Sequence, residues 1–169
     1  MLEYEQRATG AEAASESSDA KGDWAALAFR LGEERLVCSV ERIVESLPLP
    51  PVTRVPGTKP FILGLANVRG DLVTVIDLGC FLNGKRSATT MRSRLLAATL
   101  RGRPVGLMVD EVFGQRNFVA NDAEEPQPTE GSNLRDWLSK RHRSGKEEWH
   151  EFDLNRLFQE PDFLDGAAY

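Results

Sequence analysis

Residues 64–78 read Gly-Leu-Ala-Asn-Val-Arg-Gly-Asp-Leu-Val-Thr-Val-Ile-Asp-Leu, and this stretch decides the fold. Apolar residues lie on both sides of a short polar centre, Arg69-Gly70-Asp71, as is typical of two β-strands that are joined by a tight turn. A second acid, Asp77, closes the outgoing strand. The pattern therefore predicts a β-hairpin whose exposed corner carries one arginine and one glycine.

A second hairpin pattern repeats the features of the first. Two apolar runs, residues 95–100 and 105–112, flank Arg101-Gly102-Arg103, and Asp110 stands near the end of the second run as Asp77 does in the first. Repeated hairpins with short turns favour small antiparallel barrels over a parallel α/β sheet. The sequence thus predicts a mainly β protein.

The other segments are assigned from periodicity and composition. Period-two alternation predicts three further strands: residues 24–31, 36–40 and 149–154. The apolar spacing in residues 40–47 predicts a helix of about two turns, and Asn133 is expected to cap another short helix. Residues 1–23 have no apolar periodicity and are expected to be a disordered tail, and residues 161–169 are expected to be a C-terminal tail.

Composition limits the classes of function. The chain is 41% hydrophobic with a net charge of −5, and a mildly acidic surface disfavours general binding to nucleic acid or anionic membranes. No apolar run approaches the roughly 18 residues that span a bilayer, and the first residues do not resemble a secretory signal, so we expect a cytoplasmic protein. Cys38 and Cys80 are expected to be free buried thiols, and a disulfide between them is the less favoured alternative.

One segment is similar to a phosphate-binding loop. Residues 79–85 fit the spacing G-x-x-x-x-G-K, but Arg86 stands where the loop needs a Ser or Thr hydroxyl to coordinate magnesium. A strand end followed by a turn is the favoured interpretation. A nucleotide-binding enzyme that uses the loop Gly79 to Lys85 is kept as an alternative, to be separated by equilibrium ATP binding.

No other set of residues indicates catalysis or a metal. His142 lies in the basic run 140–143 and is interpreted as part of a solvated helix face, and His150 is expected on the exposed side of a strand. With two histidines and no ligand spacing, neither a zinc site nor any other metal site is expected. Three acids at strand ends are interpreted as caps: Asp77, Asp110 and Asp153. The sequence therefore indicates a protein that is not an enzyme.

A second alternative is a small-barrel binder of nucleic acid. It would use a group of four arginines: Arg92, Arg94, Arg101 and Arg103. Small barrels often bind oligonucleotides, but the aromatic residues on which bases stack are missing beside this group. Salt-dependent binding of single-stranded DNA or RNA would support this alternative.

Two longer motifs carry a family resemblance. Residues 61–70 read Phe-Ile-Leu-Gly-Leu-Ala-Asn-Val-Arg-Gly, residues 72–78 end in Asp-Leu, and residues 105–112 read Val-Gly-Leu-Met-Val-Asp-Glu-Val. Together they resemble the two landmarks of the CheW-like coupling domains. The resemblance covers residues 24–118 and, less closely, residues 146–160. Thr74 departs from the family pattern, in which many members have proline at this position.

The resemblance implies a fold and a function. Proteins of that family are mainly β, with two packed SH3-like five-stranded β-barrel subdomains and short helices, which we expect here over residues 24–160. They have no enzymatic activity and no cofactor. They couple the signalling tip of methyl-accepting chemoreceptors to the regulatory domain of a CheA-like histidine kinase. We therefore expect those two partners, with no nucleic acid and no direct insertion into a membrane.

The resemblance also implies a receptor-binding site and a pathway. Arg69 would lie in the groove that receives the receptor tip, Glu45 would pair with Arg69 and fix its orientation, and Asn67 and Gly70 belong to the same motif. The resemblance assigns no kinase-binding residues. The C-terminal third is more similar to the PilI-type coupling proteins, which act in the twitching motility driven by type IV pili.

Overall fold

The computed structural model describes residues 24–118, 123–127, 134–144 and 146–167. Within these ranges the chain forms ten strands in two five-stranded sheets, with short helices. The tail predicted for residues 1–23 lies outside the described residues, as does Asn133, the predicted helix cap. The mainly β fold with two five-stranded subdomains is thereby confirmed.

The first sheet combines the beginning and the end of the described chain. Its strands are β1 (Trp24–Leu31), β2 (Glu34–Ser39), β8 (Glu111–Phe118), β9 (Leu138–Ser144) and β10 (Glu147–Phe152). They are arranged in the order β8-β1-β2-β10-β9. All neighbours in this sheet are antiparallel except β2 and β10, which are parallel.

The second sheet contains the strands from the middle of the chain. They are β3 (Ile43–Pro48), β4 (Ile62–Val68), β5 (Asp71–Asp77), β6 (Arg94–Leu100) and β7 (Arg103–Val109), in the order β3-β6-β7-β5-β4. The helices are α1 (Leu78–Asn83), α2 (Leu154–Leu157) and α3 (Pro161–Ala167), and 3-10 turns cover Val40–Arg42 and Arg135–Trp137. Both predicted hairpins of this sheet are present, as β4–β5 and β6–β7.

Each sheet is buried on both faces. One face of each contributes to a shared core, in which Phe29 and Leu36 of the first sheet join Ile76 and Leu107 of the second. The opposite faces line two smaller cores. The core of the first sheet contains Ala26, Ala28, Val37, Phe118 and Trp149, and the core of the second contains Ala66, Val75 and Leu95. Apolar side chains are thus removed from water on both faces of each sheet. The shared core holds the two sheets together, and each smaller core packs the other face of its own sheet.

The second sheet curls until its two edges meet. Its edge strands are β3 and β4, and the chain just after β3 reaches β4, where Thr53 and Leu65 exchange two backbone hydrogen bonds of 2.8 Å. Gly64 permits this approach, since a Cβ atom at that position would lie 2.1 Å from the Thr53 carbonyl oxygen. We call this closure the second-sheet seam.

The first sheet is closed by aromatic rings. Its edge strands are β8 and β9, and the imidazole of His142 on β9 lies 5.3 Å from the ring of Phe118 on β8 and 5.1 Å from that of Trp24. We call this contact the first-sheet seam. His142 is therefore buried in a strand, and its predicted place on a solvated helix face is wrong.

His150 is also buried, so its predicted place on an exposed strand face is wrong. The segment 123–127 covers it, and the Gln127 backbone N–H donates to His150 Nε2 at 3.1 Å. Glu124 of the same segment pairs with Arg141 on β9 through backbone hydrogen bonds. The prediction failed because this cover comes from a segment that is distant in sequence and cannot be seen in the local alternation.

The helix predicted over residues 40–47 is wrong as well. Only Val40–Arg42 forms a 3-10 turn, and β3 follows directly, with Glu45 paired to Ala97 of β6. The β-branched Ile43 and Val44 favour a strand, and hydrogen bonding to β6 satisfies its backbone. Apolar spacing alone could not separate the two interpretations.

Two smaller boundaries also differ from the predictions. The second apolar run is interrupted at Asp110, where β7 ends and β8 begins. The predicted C-terminal tail from residue 161 begins instead with α3, whose Phe163 is fully buried and stacks near Phe61 at 6.3 Å. Burial of a phenyl ring stabilises this helix against the core by roughly 2 kcal/mol.

Candidate functional site

The turn between β4 and β5 places Arg69 at an exposed corner. Both central residues have positive φ, 53° for Arg69 and 90° for Gly70, which is the conformation of a type I′ hairpin turn. The Asn67 side-chain oxygen accepts a hydrogen bond of 3.0 Å from the Gly70 backbone N–H. Asn67 and Gly70 thus shape the turn, and Arg69 projects from it.

Glu45 pairs with this arginine. Arg69 Nη2 lies 2.8 Å from Glu45 Oε1, although the two residues belong to opposite edges of the second sheet. The curling of the sheet at the second-sheet seam brings them together. The structure therefore joins the two residues that the resemblance had associated, while their role in receptor binding stays a prediction.

The two side chains of this pair differ in their exposure to solvent. The Arg69 side chain is 77% exposed and that of Glu45 is 24% exposed. Exposed ion pairs typically contribute about 0–1 kcal/mol to stability. A half-covered carboxylate can nevertheless fix one edge of the planar guanidinium and leave its other N–H groups directed at solvent. The arrangement is suited to presenting donors to a partner.

Two exposed apolar side chains flank the pair. Val44, next to Glu45 on β3, is 69% exposed, and Leu72, which follows Asp71 on β5, is 64% exposed. A charged donor beside exposed aliphatic groups is a common composition of protein-binding surfaces. This surface suits a protein partner better than a small-molecule substrate.

The turn between β6 and β7 repeats the conformation of the first turn. Arg101 has φ 51° and Gly102 has φ 81°. Strands β5 and β7 are parallel neighbours, with Thr74 beside Val105, so the two turns lie at the same end of the second sheet. We call this end, defined by Arg69, Gly70, Arg101 and Gly102, the arginine rim.

The four arginines of the nucleic-acid alternative do not form one patch. Arg94 pairs with Val109 at one end of the β6–β7 hairpin, and Arg101 and Arg103 lie at the other end. Seven residues of strand separate them by roughly 20 Å. Arg94 is moreover engaged by the carbonyl groups of Met91 and Ser93, at 2.9 and 2.8 Å. The geometry therefore does not favour this alternative.

The segment that resembles a phosphate loop is a closed helix. Residues Leu78–Asn83 form α1, and Gly84, with φ 83°, donates its backbone N–H to the Cys80 carbonyl. The open backbone that would cradle phosphate is absent from residues 79–85, because these amides are used within the helix and its cap. The structure contradicts the loop that the nucleotide-binding alternative requires.

Asp77 holds the start of that helix. Its carboxylate is fully buried and accepts hydrogen bonds from the Cys80 and Ser87 backbone N–H groups at 3.0 and 2.7 Å, and from Ser87 Oγ at 2.7 Å. Asp153 caps α2 in the same way, so the capping predicted for these two acids is confirmed. Asp110 instead accepts from the Gly32 backbone N–H at 2.6 Å in the β1–β2 turn, so its predicted capping role is wrong.

The two cysteines are free and buried, as predicted. Burial raises the pKa of the Cys38 thiol to about 12. Burial also raises the pKa of Cys80, with a further increase from Asp77 and a smaller opposing effect from Arg86. Both thiols are thus protonated at neutral pH, which makes them poor nucleophiles. Within the described residues, no helix is long and apolar enough to cross a membrane.

Comparisons with known proteins agree with this architecture. Residues 25–162 match the family model described as CheW-like domain. Protein PilI from Pseudomonas aeruginosa is 32% identical over 151 residues, covering 89% of this chain and 84% of that protein. A probable chemotaxis protein CheW from Rhizobium etli is 31% identical over 68% of this chain and 73% of its own length.

A solved structure shares the fold. The crystal structure of the scaffolding protein TtCheW from Thermoanaerobacter tengcongensis superposes with a TM-score of 0.68 and 23% sequence identity, covering 83% of this chain and 90% of that one. At that identity the likeness shows the fold alone. The fold of the two five-stranded sheets is therefore shared with that structure.

Proposed function

The chain belongs to the CheW-like domain family, and from this premise we propose that it is a non-enzymatic adaptor of a cytoplasmic chemosensory pathway. It couples the signalling tip of methyl-accepting chemoreceptors to the regulatory domain of a CheA-like histidine kinase. Receptor binding uses Arg69, supported by Glu45, Asn67 and Gly70. The likeness to a PilI protein over most of both chains supports a pathway that controls type IV pili and twitching motility.

The Glu45–Arg69 pair is the observation that carries the proposal. An arginine held at 2.8 Å by a half-covered carboxylate, on a turn with positive φ, is placed where a partner can reach it. A non-glycine residue in this backbone region is uncommon and is associated with functional positions. The fixed guanidinium loses less side-chain entropy on binding than a free arginine would.

The chemical groups outside the Arg69 turn support an adaptor over an enzyme. The buried cysteines have raised pKa values, Asp77 and Asp153 are used in helix caps, and the phosphate-loop segment is a helix. These groups are committed to the fold. An adaptor needs instead a rigid body with separate contact surfaces, which two packed five-stranded sheets provide.

The proposal is tested by measuring binding of the full chain to two purified partners. These are a receptor signalling-tip fragment and the regulatory domain of a CheA-like kinase from the same organism. We expect Arg69→Glu to abolish receptor binding because it reverses the charge at the contact, and to leave kinase binding unchanged. Arg92→Glu, an exposed arginine at the opposite end of the second sheet, is the matched control and should leave both interactions intact.

Three outcomes would contradict the proposal. The first is that the wild-type chain binds neither partner at concentrations on the order of tens of micromolar. The second is that Arg69→Glu and the control weaken receptor binding equally. The third is that Arg69→Glu unfolds the chain in a thermal melt, which would make Arg69 a structural residue. The pathway is tested separately by deleting the gene in its host, which should abolish twitching and leave swimming unchanged.

A further inference from the structure

We propose that Arg101 is a second contact residue for the receptor, and that the arginine rim as a whole recognises an acidic protein segment that spans both turns. This inference rests on the proposed function and deepens it. It assigns to the receptor contact a residue that lies on a different hairpin from Arg69. It also identifies the chemistry of the surface that the receptor must present.

The two turns carry the same kind of backbone strain. Type I′ turns strongly prefer Asn, Asp or Gly at their first central position, where φ is positive. Both hairpins instead have arginine there, at φ 53° in Arg69 and φ 51° in Arg101. They are the two non-glycine residues with positive φ in the described part of the chain. Backbone strain of this kind clusters at binding sites, where the contact that the side chain makes with a partner offsets the conformational cost.

The two turns are neighbours at this end of the sheet, with Gly102 and Gly70 between Arg101 and Arg69. Thr74 of β5 is paired in parallel with Val105 of β7, and this register, continued by three residues, places Gly102 beside Asp71. Neighbouring strands are about 5 Å apart, so the two turns form one continuous rim on which about 10–15 Å separates Arg101 on the β6 side from Arg69 on the β4 side. An extended or helical segment of a partner can therefore contact both guanidinium groups at once.

The two arginines differ in how they are engaged. Arg69 is held by Glu45, whereas Arg101 makes no ion pair or side-chain hydrogen bond with any residue that the structure describes. An exposed arginine that no described residue engages has donors to offer to carboxylates of another molecule. Arg101 therefore has more N–H donors available to a partner than Arg69 has, whereas the guanidinium of Arg69 is held in a fixed orientation by Glu45.

The charge and composition of the rim select the class of partner. The two guanidinium groups of the rim are complementary to carboxylates. Leu72 and Val44 lie exposed near the rim, so the complementary surface is also partly apolar. Nucleic acid fits less well, because its binding would need aromatic side chains on which bases stack and would oppose the net charge of −5. The occupant that fits is an acidic segment of a protein, here the receptor signalling tip.

The test uses the receptor signalling-tip fragment and the full chain. Arg101→Asn removes the charge while keeping a residue that accepts positive φ, so the turn is preserved. We expect it to weaken binding about tenfold and to reduce the dependence of affinity on salt. Arg101→Lys keeps the charge but not the forked donors, and should give an intermediate loss. Arg92→Asn, at the far end of the same hairpin, is the control and should change the affinity less than about twofold.

The outcomes separate this inference from the proposed function. If the wild-type chain binds and Arg69→Glu abolishes binding, but Arg101→Asn leaves it unchanged, the inference is overturned and the proposed function stands. If the wild-type chain does not bind the fragment, both fall. A double variant, Arg69→Asn with Arg101→Asn, should bind more weakly than either single variant if one acidic segment contacts both turns, and binding no weaker than that of Arg69→Asn alone would contradict a contact with Arg101.

Discussion

The two sheets of this protein are closed in different ways. The second-sheet seam is made by backbone, through the paired amides of Thr53 and Leu65 and the bare backbone of Gly64. The first-sheet seam is made by side chains, through the rings of His142, Trp24 and Phe118. The backbone seam pairs hydrogen-bonding groups of its edge strands, whereas the rings only pack against theirs, and on β9 Arg141 bonds instead to the Glu124 backbone.

This difference explains where each subdomain can carry a binding surface. A seam made by backbone leaves side chains free, and the second sheet uses them in the Glu45–Arg69 pair. A seam made by rings uses the side chains for packing instead. We therefore expect the second sheet to carry recognition.

The largest effect is expected from breaking the second-sheet seam with Gly64→Ala. The new Cβ atom would lie 2.1 Å from the Thr53 carbonyl oxygen, and alanine is strained at φ 146°. We expect the free energy of unfolding to fall by roughly 3 kcal/mol or more, as measured by chemical denaturation. Because the Glu45–Arg69 pair depends on this closure, binding of the receptor fragment should fall as well.

A matched glycine separates the close approach from the backbone strain. Gly57, with φ 81°, has no atom within 4 Å of an added Cβ. Gly57→Ala therefore reports the strain alone, at about 1 kcal/mol. If the two variants are equally destabilised, the contact between Gly64 and Thr53 does not close the seam.

The next effect is expected from the first-sheet seam. His142→Ala removes a buried ring and leaves a cavity beside Trp24 and Phe118, so we expect a loss of about 2–3 kcal/mol in the free energy of unfolding. His142→Phe keeps the ring and removes the buried Nδ1, which has no hydrogen-bond partner among the described residues. It should stay within about 1 kcal/mol of the wild type.

An equal loss of stability in His142→Phe and His142→Ala would point to a hydrogen bond of His142 instead of ring packing. His142 Nε2 lies 3.1 Å from Glu151 Oε1. If His142→Phe is as unstable as His142→Ala, this hydrogen bond closes the seam and ring packing does not. Glu151→Gln, which keeps a hydrogen-bonding group at the same place, would then leave the stability close to that of the wild type.

Sequence reasoning succeeded where the signal is local. The Arg69-Gly70 turn, both hairpins of the second sheet and the Asp77 cap follow from residues that are neighbours in the chain. The Glu45–Arg69 pair was associated through the family resemblance and not through local pattern, because curling of the sheet brings it together. No periodicity in the sequence indicates which edge strands will meet.

The failures have the same origin. Residues 40–47 satisfy both helical and strand spacing, and pairing with β6 decides between them. The basic run around His142 suggested solvation, and the alternation with Trp149 suggested an exposed face for His150, but rings of β1 and β8 cover the first and the segment 123–127 covers the second. Contacts between residues far apart in sequence outweighed the local signal in each case.

The stability of the fold is also expected to depend on pH through His150, which lies on β10 of the first sheet. Burial lowers the pKa of His150 below its usual value of 6.5, while Glu34 and Glu148 oppose this and Arg141 favours it. A histidine whose pKa is lower in the folded state binds fewer protons there than in the unfolded chain. Stability is therefore complete above about pH 6.5 and is lost as the pH falls from there to the folded-state pKa.

His150→Gln tests this assignment. The glutamine side chain keeps an acceptor for the Gln127 N–H but has no proton to gain. We expect the decline in the free energy of unfolding between pH 7 and pH 5 to be shallower in the variant than in the wild type. Equal slopes would show that His150 does not contribute, and a steeper slope would show that its pKa is raised in the folded state.

The smallest effect is expected at the arginine rim, where Glu45 pairs with Arg69 and the structure describes no such ion pair for Arg101. Asparagine tolerates positive φ better than arginine does, so Arg101→Asn should stabilise the fold by about 0.5–1 kcal/mol. Arg69→Asn relieves the same strain but loses an exposed ion pair of about 0–1 kcal/mol, so its gain should be smaller. In a Glu45→Gln background the two gains should become equal, measured by denaturation at low salt. If they remain different, an interaction other than the Glu45–Arg69 pair distinguishes the turns.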